Sequence, residues 1–358
     1  MGWFEYIYEI DWQEEMYSWV DEINASDLNV YPIETELKKE AWYRWLDHWR
    51  KKVVEDKKNI FTKRNQQALY FVDGRKKIYS RVLMKGGGVG VFVEILVGTV
   101  EWSLQRGIQV LFNTMNLPVG HRYFIVEKSV RDNIREPLPD KIILLPGEME
   151  FDVVYVDSED HINKVITKLM VDMEKEEIKR IASQIDGDNF SIIWSGQLIG
   201  LEKEFVYDNI PLVGFNRYTA IRYVPREMER IYDVLYDLNV SERTPQFAIT
   251  GFSKNVDLVA SYIKLINYES EHSTMRGVAL FEVLVEKVKV PIDELSKLYD
   301  FLALMLPRLS TTAPFGNGVE TLFPLLAVEG NLVHYFIPKE YVAYLITKAV
   351  VSGRQSKD

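Results

Sequence analysis

Cysteine is absent from the 358-residue chain. That excludes disulfides, thiolate zinc sites and a cysteine nucleophile, and it fits a thermophile, where thermolabile residues are thinned out. No uncharged apolar run of about 18 residues occurs, so no transmembrane helix is expected. The opening Met1-Gly2-Trp3-Phe4-Glu5 lacks the basic stretch of a secretory signal, and the expected location is the cytoplasm. Internal repeats and low-complexity tracts are missing too. Gly86-Gly-Gly-Val-Gly90 lacks the Gly-Lys-Ser/Thr of a P-loop and runs into a strand, so it reads as a hairpin turn. The five histidines (48, 121, 161, 272 and 334) show no metal-ligand spacing, and Ser310 in Arg308–Thr312 has no nucleophile context. Basic charge is in deficit overall: the net charge of −10 argues against a general polyanion binder.

Hydrophobic residues make up 47% of the chain, enough for a substantial core. The length allows two domains or one large domain with appendages. Charge is unevenly spread. Residues 1–37 hold ten acidic side chains and no Lys or Arg, whereas residues 38–64 hold ten basic and four acidic ones. The basic segment suits either a solvated helix paired with the acidic arm or a phosphate contact. Six of the eight tryptophans fall in the first 49 residues. Trp42, Trp45 and Trp49 share one helical face, as expected for core or a protein contact, with base stacking the alternative. Residues 1–65 therefore read as a helical, aromatic-rich arm.

Farther on, Ala68–Asp73 is a short apolar strand running into Asp-Gly, Lys77–Met84 alternates as a second strand, and Val91–Val100 is a third. Residues 122–126 and 142–145 extend the sheet, with Pro137 and Pro139 between them. Apolar residues from Ile162 to Ile185 keep a helical period; an Asp186–Asn189 turn ends that helix. Phe190–Trp194 and Val213–Phe215 read as strands, and Pro225 opens a helix to about Asn239. Strands near 246–252, 258–267 and 277–286 follow, then a helix from Asp293 to Pro307, a Thr311–Gly318 loop, and a closing helix at 339–350. A polar tail covers 351–358. Meander, helix, strand, helix is the element order of a mixed α/β, ribonuclease H-like fold.

Chemistry concentrates on a few acids. Asp73 before Gly74 could present its oxygens at a sheet edge to a hard cation, or be an ordinary turn residue. Glu94 lies inside Val91-Phe-Val-Glu-Ile-Leu-Val97, where a buried acid is costly unless paired or metal-bound; alternation could also turn it to solvent. Glu174 and Glu177 share a face of the long helix, either as a solvated surface or with one reaching the sheet edge.

Taken in order, Phe71-Val-Asp73-Gly74-Arg75, Glu94, Leu169-Met-Val-Asp-Met-Glu174-Lys-Glu-Glu177, Ile192-Ile-Trp-Ser195-Gly196-Gln-Leu198 and Val213-Gly-Phe-Asn-Arg217 resemble the NurA family of DNA-end-processing nucleases. The likeness spans residues 70–217 and continues more loosely to about 330. It implies a NurA-like domain over 66–335, with 336–358 as a C-terminal helix and tail. It further implies a metal-dependent deoxyribonuclease using Mn²⁺ or Mg²⁺, held by Asp73, Glu94, Glu177 and Asp188, with Arg217 steadying a phosphate. The partners implied are DNA, a HerA-type hexameric ATPase and a second copy of the chain, in DNA end resection and repair. Two positions depart from the family. Ser195 stands where it has an aspartate, with Asp188 nearby as a substitute, and its C-terminal histidine has no match beyond His334, expected on a strand. The alternative expectation is a catalytically impaired paralogue serving as a structural or regulatory subunit. A third, unrelated class is a soluble binding protein whose aromatic arm is an oligomer interface.

Overall fold

The computed structural model describes residues 7–11, 29–32, 68–84, 87–111, 117–133, 138–144, 149–185, 190–207, 211–216, 235, 238–267, 277–287, 292–312 and 320–355. In chain order the strands are β1 (Ile7–Asp11), β2 (Asn29–Pro32), β3 (Ala68–Met84), β4 (Val89–Ser103), β5 (Gly107–Leu111), β6 (Val119–Glu127), β7 (Lys141–Leu144), β8 (Met149–Val156), β9 (Phe190–Trp194), β10 (Leu212–Asn216), β11 (Phe247–Thr250), β12 (Val256–Lys264), β13 (Val278–Glu286), β14 (Ser310–Thr312) and β15 (Glu320–Leu322). The α-helices are α1 (Lys128–Asn133), α2 (Asp160–Gln184), α3 (Ile292–Leu309), α4 (Phe323–Val333) and α5 (Lys339–Gln355).

Thirteen strands form one mixed sheet in the order β2-β11-β12-β13-β10-β9-β3-β4-β6-β8-β7, with β1 on β3 and β5 on β4. At its centre β3, β4 and β6 are an antiparallel meander, β9 runs parallel to β3, and β10 parallel to β9. The helix α2 precedes β9 in the chain, as the crossover to a parallel strand requires. This is the mixed α/β, ribonuclease H-like arrangement expected from the element order. Two expectations are corrected. Residues 68–84 are one continuous strand rather than two, so Asp73-Gly74 is no turn. The strand persists because β4 pairs it on both sides of that step, Val72 with Thr99 through Leu83 with Val89. The N-terminal region reads as helical from its sequence, yet Ile7–Asp11 and Asn29–Pro32 are strands that pair antiparallel with β3 and β11. The tryptophan stripe, the 186–189 turn, most of the 225–239 helix and residues 313–319 lie outside the described residues.

All fifteen residues of β4 are buried, because both faces of the sheet are covered. Alternation along β3 sorts its side chains. Tyr70 and Val72 join Val93, Ile95 and Val97 beneath Ile162, Ile166, Ile178 and Ile181 of α2. Leu69 and Phe71 face the other way, with Leu96 and Val100, toward Leu302 and Met305 of α3 and Leu325, Val328 and Leu332 of α4. Farther along that second face, Tyr79, Phe92 and Phe124 pack with Val342, Leu345 and Ile346 of α5. The closing helix is therefore part of the core. The turn between β3 and β4 uses Gly87 and Gly88 at φ +88° and +101°, a conformation that L side chains resist. Among the described residues no helix is long and apolar enough to cross a membrane.

Candidate functional site

The predicted acids divide between the two faces. Asp73 follows Phe71 in the alternation and turns toward α4; it is buried, and its Oδ1 accepts the N–H of Gly74 at 3.0 Å. Glu94 shares that face but not that place. Asp73 is opposite Gly98 and Lys77 opposite Glu94, a four-residue offset that sets Asp73 and Glu94 about 13 Å apart along the ladder. No single cation bridges carboxylates so spaced, since oxygen ligands lie roughly 2.0–2.6 Å from the metal.

Glu94 instead has a structural occupation. Its carboxylate accepts the Tyr79 hydroxyl and, at 3.3 Å, the N–H of Ile337. Arg122 Nε approaches to 2.8 Å as an ion pair, without the alignment of a hydrogen bond. Lys77 Nζ donates to the carbonyl of the same Ile337 at 3.1 Å. The cross-strand pair Lys77–Glu94 thus holds both halves of one residue's backbone, in the link between α4 and α5. This answers the cost of burying an acid in an apolar strand. Burial and the bond to Glu94 raise the Tyr79 hydroxyl, so it stays a donor.

On the opposite face, Glu177 receives Thr99 Oγ1 at 2.6 Å and a forked pair of bonds from Arg180, Nε at 2.7 Å and Nη2 at 2.6 Å. Glu174, rather than Glu177, is the helix acid that reaches the Asp73-Gly74 step. A side chain at position 74 would meet Glu174 Oε1 at 2.6 Å, so glycine makes room for it. Trp194 Nε1 donates to Glu174 Oε2 at 2.8 Å. Burial lifts the Glu174 carboxyl to about 7, against the opposing bonds from Trp194 and Gly74. The residue pattern leaves Glu174 and Glu177 open, the resemblance assigns the role to Glu177, and neither points to Glu282. Glu282 on β13 is fully buried, accepts Leu198 N–H at 3.1 Å, has Oε1 unsatisfied, and is raised by burial to about 7. Its signal was the one used for Glu94, a lone acid inside the apolar run Val278-Ala-Leu-Phe-Glu-Val-Leu-Val.

The register aligns these groups in a row. Thr99, Val72, Trp194, Gly214 and Glu282 are successive partners across β4, β3, β9, β10 and β13. The strands bearing Thr99, Trp194 and Glu282 lie two apart, about 10 Å at each step, so Glu177, Glu174 and Glu282 meet the sheet at separate points. Ser195 follows directly, its N–H bonded to Val72 O at 3.3 Å. The structure therefore gathers Asp73, Glu174 and Ser195 around one point of β3, where the Gly74 N–H meets both Asp73 Oδ1 and the Glu174 carboxyl. It does not bring Glu94 there, and Glu177 is taken up by Thr99 and Arg180. His334 caps the end of α4 and is exposed, not on a strand, because the apolar run 323–333 is a helix opened by Pro324. Asp188 and Arg217 lie outside the described residues.

Among the described residues, no three His, Asp or Glu are placed to hold a metal together. Of the acids that the resemblance assigns to Mn²⁺ or Mg²⁺, Asp73, Glu94 and Glu177 stand at separate places, and Asp188 lies outside the described residues.

The chain is similar to a NurA nuclease of known structure. That protein is from Sulfolobus solfataricus; identity is 13%, the TM-score 0.41, and the match covers 90% of this chain and 99% of that one. No family model and no curated protein matches the chain.

Proposed function

We propose that the chain is a NurA-like, catalytically impaired protein that serves as a structural or regulatory subunit in DNA processing. One observation carries this reading: Glu94 and Glu177 are each occupied by the protein's own donors, and among the described residues no three acids or histidines stand together as a metal would need. Metal-assisted phosphodiester cleavage needs carboxylates that converge on one cation and leave it open positions for water and substrate. A hydroxyl at Ser195 adds no charged ligand at the one point where Asp73 and Glu174 approach. The partners in this proposal are DNA, a HerA-type ATPase and a second copy of the chain.

The experiment is a cleavage assay on labelled single-stranded and duplex DNA with Mn²⁺ or Mg²⁺, run on the chain and on Asp73→Ala. The expected result is no cleavage above background in either, with a translocase of the HerA type still bound. Manganese-dependent cleavage that disappears in Asp73→Ala would establish the active nuclease instead.

A further inference from the structure

Beside Asp73, on the same face of β3, the molecule has a cavity of about 330 Å³ lined by Arg75, Lys76, Lys77, Ile78, Val333, Phe336 and Lys339. No acid is in that lining. Arg75 and Lys77 follow Asp73 in the alternation and share its face, and Lys339 opens α5 across the cavity. Lys76 alternates to the far side of the strand. Lys77 lies 6.0 Å from the centre of the Phe336 ring and 5.7 Å from that of Tyr79. Its ammonium donates once, to Ile337, and has three donors in all. Of the acids nearby, Glu94 is engaged by Tyr79, Arg122 and Ile337, Asp73 accepts the Gly74 N–H, and Glu329 stands 3.9 Å from Arg75, a partly exposed ion pair with which an arriving anion competes.

We infer that this cavity is a phosphate-binding site, taking the phosphodiester of a nucleic-acid strand through Arg75, Lys77 and Lys339. Arg75 supplies a planar fork for two phosphate oxygens, and the two lysines supply point charges. Lys77 is held in place from behind by the Ile337 carbonyl, so little freedom is lost when an anion arrives. The volume accommodates a phosphate with its sugar, and Phe336 gives the sugar an apolar wall. Tyr335 and Tyr341, both exposed, lie within two residues of Phe336 and Lys339, where rings for stacking bases would be needed. A second cavity of similar size, about 350 Å³, has the opposite character. Asp172, Glu176, Glu202 and Glu204 line it against Lys175 and Lys179, and it serves as the internal control.

The inference deepens the proposed function, since it gives a non-cleaving subunit its hold on DNA. The test is fluorescence anisotropy of a labelled mixed-sequence oligonucleotide with the full chain, at about 50 and 200 mM salt. Arg75→Glu/Lys339→Glu is compared with Lys175→Glu/Lys179→Glu, and inorganic phosphate is titrated as competitor. The expected result is salt-dependent binding that weakens about tenfold or more in the first double variant and by less than about twofold in the second. Arg75→Gln/Lys339→Gln, expected to weaken binding about threefold, serves if charge reversal lowers the thermal midpoint. Phosphate binding that depends on Arg75 and Lys339, without oligonucleotide binding, assigns the cavity to a free phosphate and overturns the nucleic-acid source. No binding of either probe, or equal weakening by both double variants, overturns the site. Cleavage in the nuclease assay with the same loss in Arg75→Glu/Lys339→Glu would remove the impaired-subunit reading and leave the site standing.

Discussion

The two faces of the central sheet use acidic residues in opposite ways. On the α4–α5 face Glu94 is surrounded by donors and cations: Tyr79, Arg122, the Ile337 N–H and, across the ladder, Lys77. On the α2 face Glu174 and Glu282 are buried with neutral donors alone, an indole N–H and a backbone N–H, and both carboxyls rise to about 7. Glu177, with Arg180, and Glu101, with Arg106, are exceptions on that side. An acid in an apolar strand is thus no signature of chemistry by itself. What its partners are decides whether it is a charged clamp or a protonated core group.

The largest effect should come from removing the clamp. Glu94→Ala leaves Arg122, the Tyr79 hydroxyl and the Ile337 N–H without their acceptor, and roughly 3–5 kcal/mol of stability should be lost in urea unfolding. A variant of undiminished stability would erase the contrast between the faces.

Next is pH. Glu174 and Glu282 hold their protons to about pH 7 when folded, against an ordinary value of 4.5 when unfolded. In that window the folded chain binds more protons. Each group therefore contributes stability that is full below 4.5 and lost as pH rises toward 7. Glu174→Gln and Glu282→Gln should gain on the parent chain between about pH 5 and pH 8, by a few kcal/mol at most. Thermal midpoints against pH for the three proteins measure this; parallel curves would mean both acids are charged in the fold.

Gly74→Ala should cost about 1–3 kcal/mol, because its methyl group would meet Glu174 Oε1 at 2.6 Å and Met170 Cγ at 2.8 Å. Combining it with Glu174→Ala should recover part of that loss; full additivity would show that the two do not touch. The smallest effect belongs to His334→Ala, exposed at the end of α4, with a change within about 0.5 kcal/mol. A larger loss would give that histidine a role the fold does not.

Much of the framework was legible in the chain. Phe190–Trp194 and the 162–185 helix follow directly from apolar periodicity, since each buries one continuous set of aliphatic residues. Asp73-Gly74 misled because Asp-Gly is a local turn signal, while the pairing that keeps β3 extended comes from β4, a tertiary cause. His334 misled for the reverse reason: a short apolar run does not tell helix from strand by period. At the site, the identity of the acids was readable but their sides were not. Face is set by register: Asp73 leaves β3 on the side of Phe71, while the Gly74 position faces Glu174. The cationic cavity was hidden for the same reason, as Arg75, Lys77 and Lys339 come together only through the docking of α5.

The most direct test is thermal unfolding of the full chain with and without millimolar manganese. A metal held by converging carboxylates binds the folded state and raises the midpoint. Scattered, self-satisfied acids predict an unchanged midpoint in both the parent chain and Asp73→Ala. A rise of several degrees that vanishes in Asp73→Ala would contradict the account and restore a metal centre.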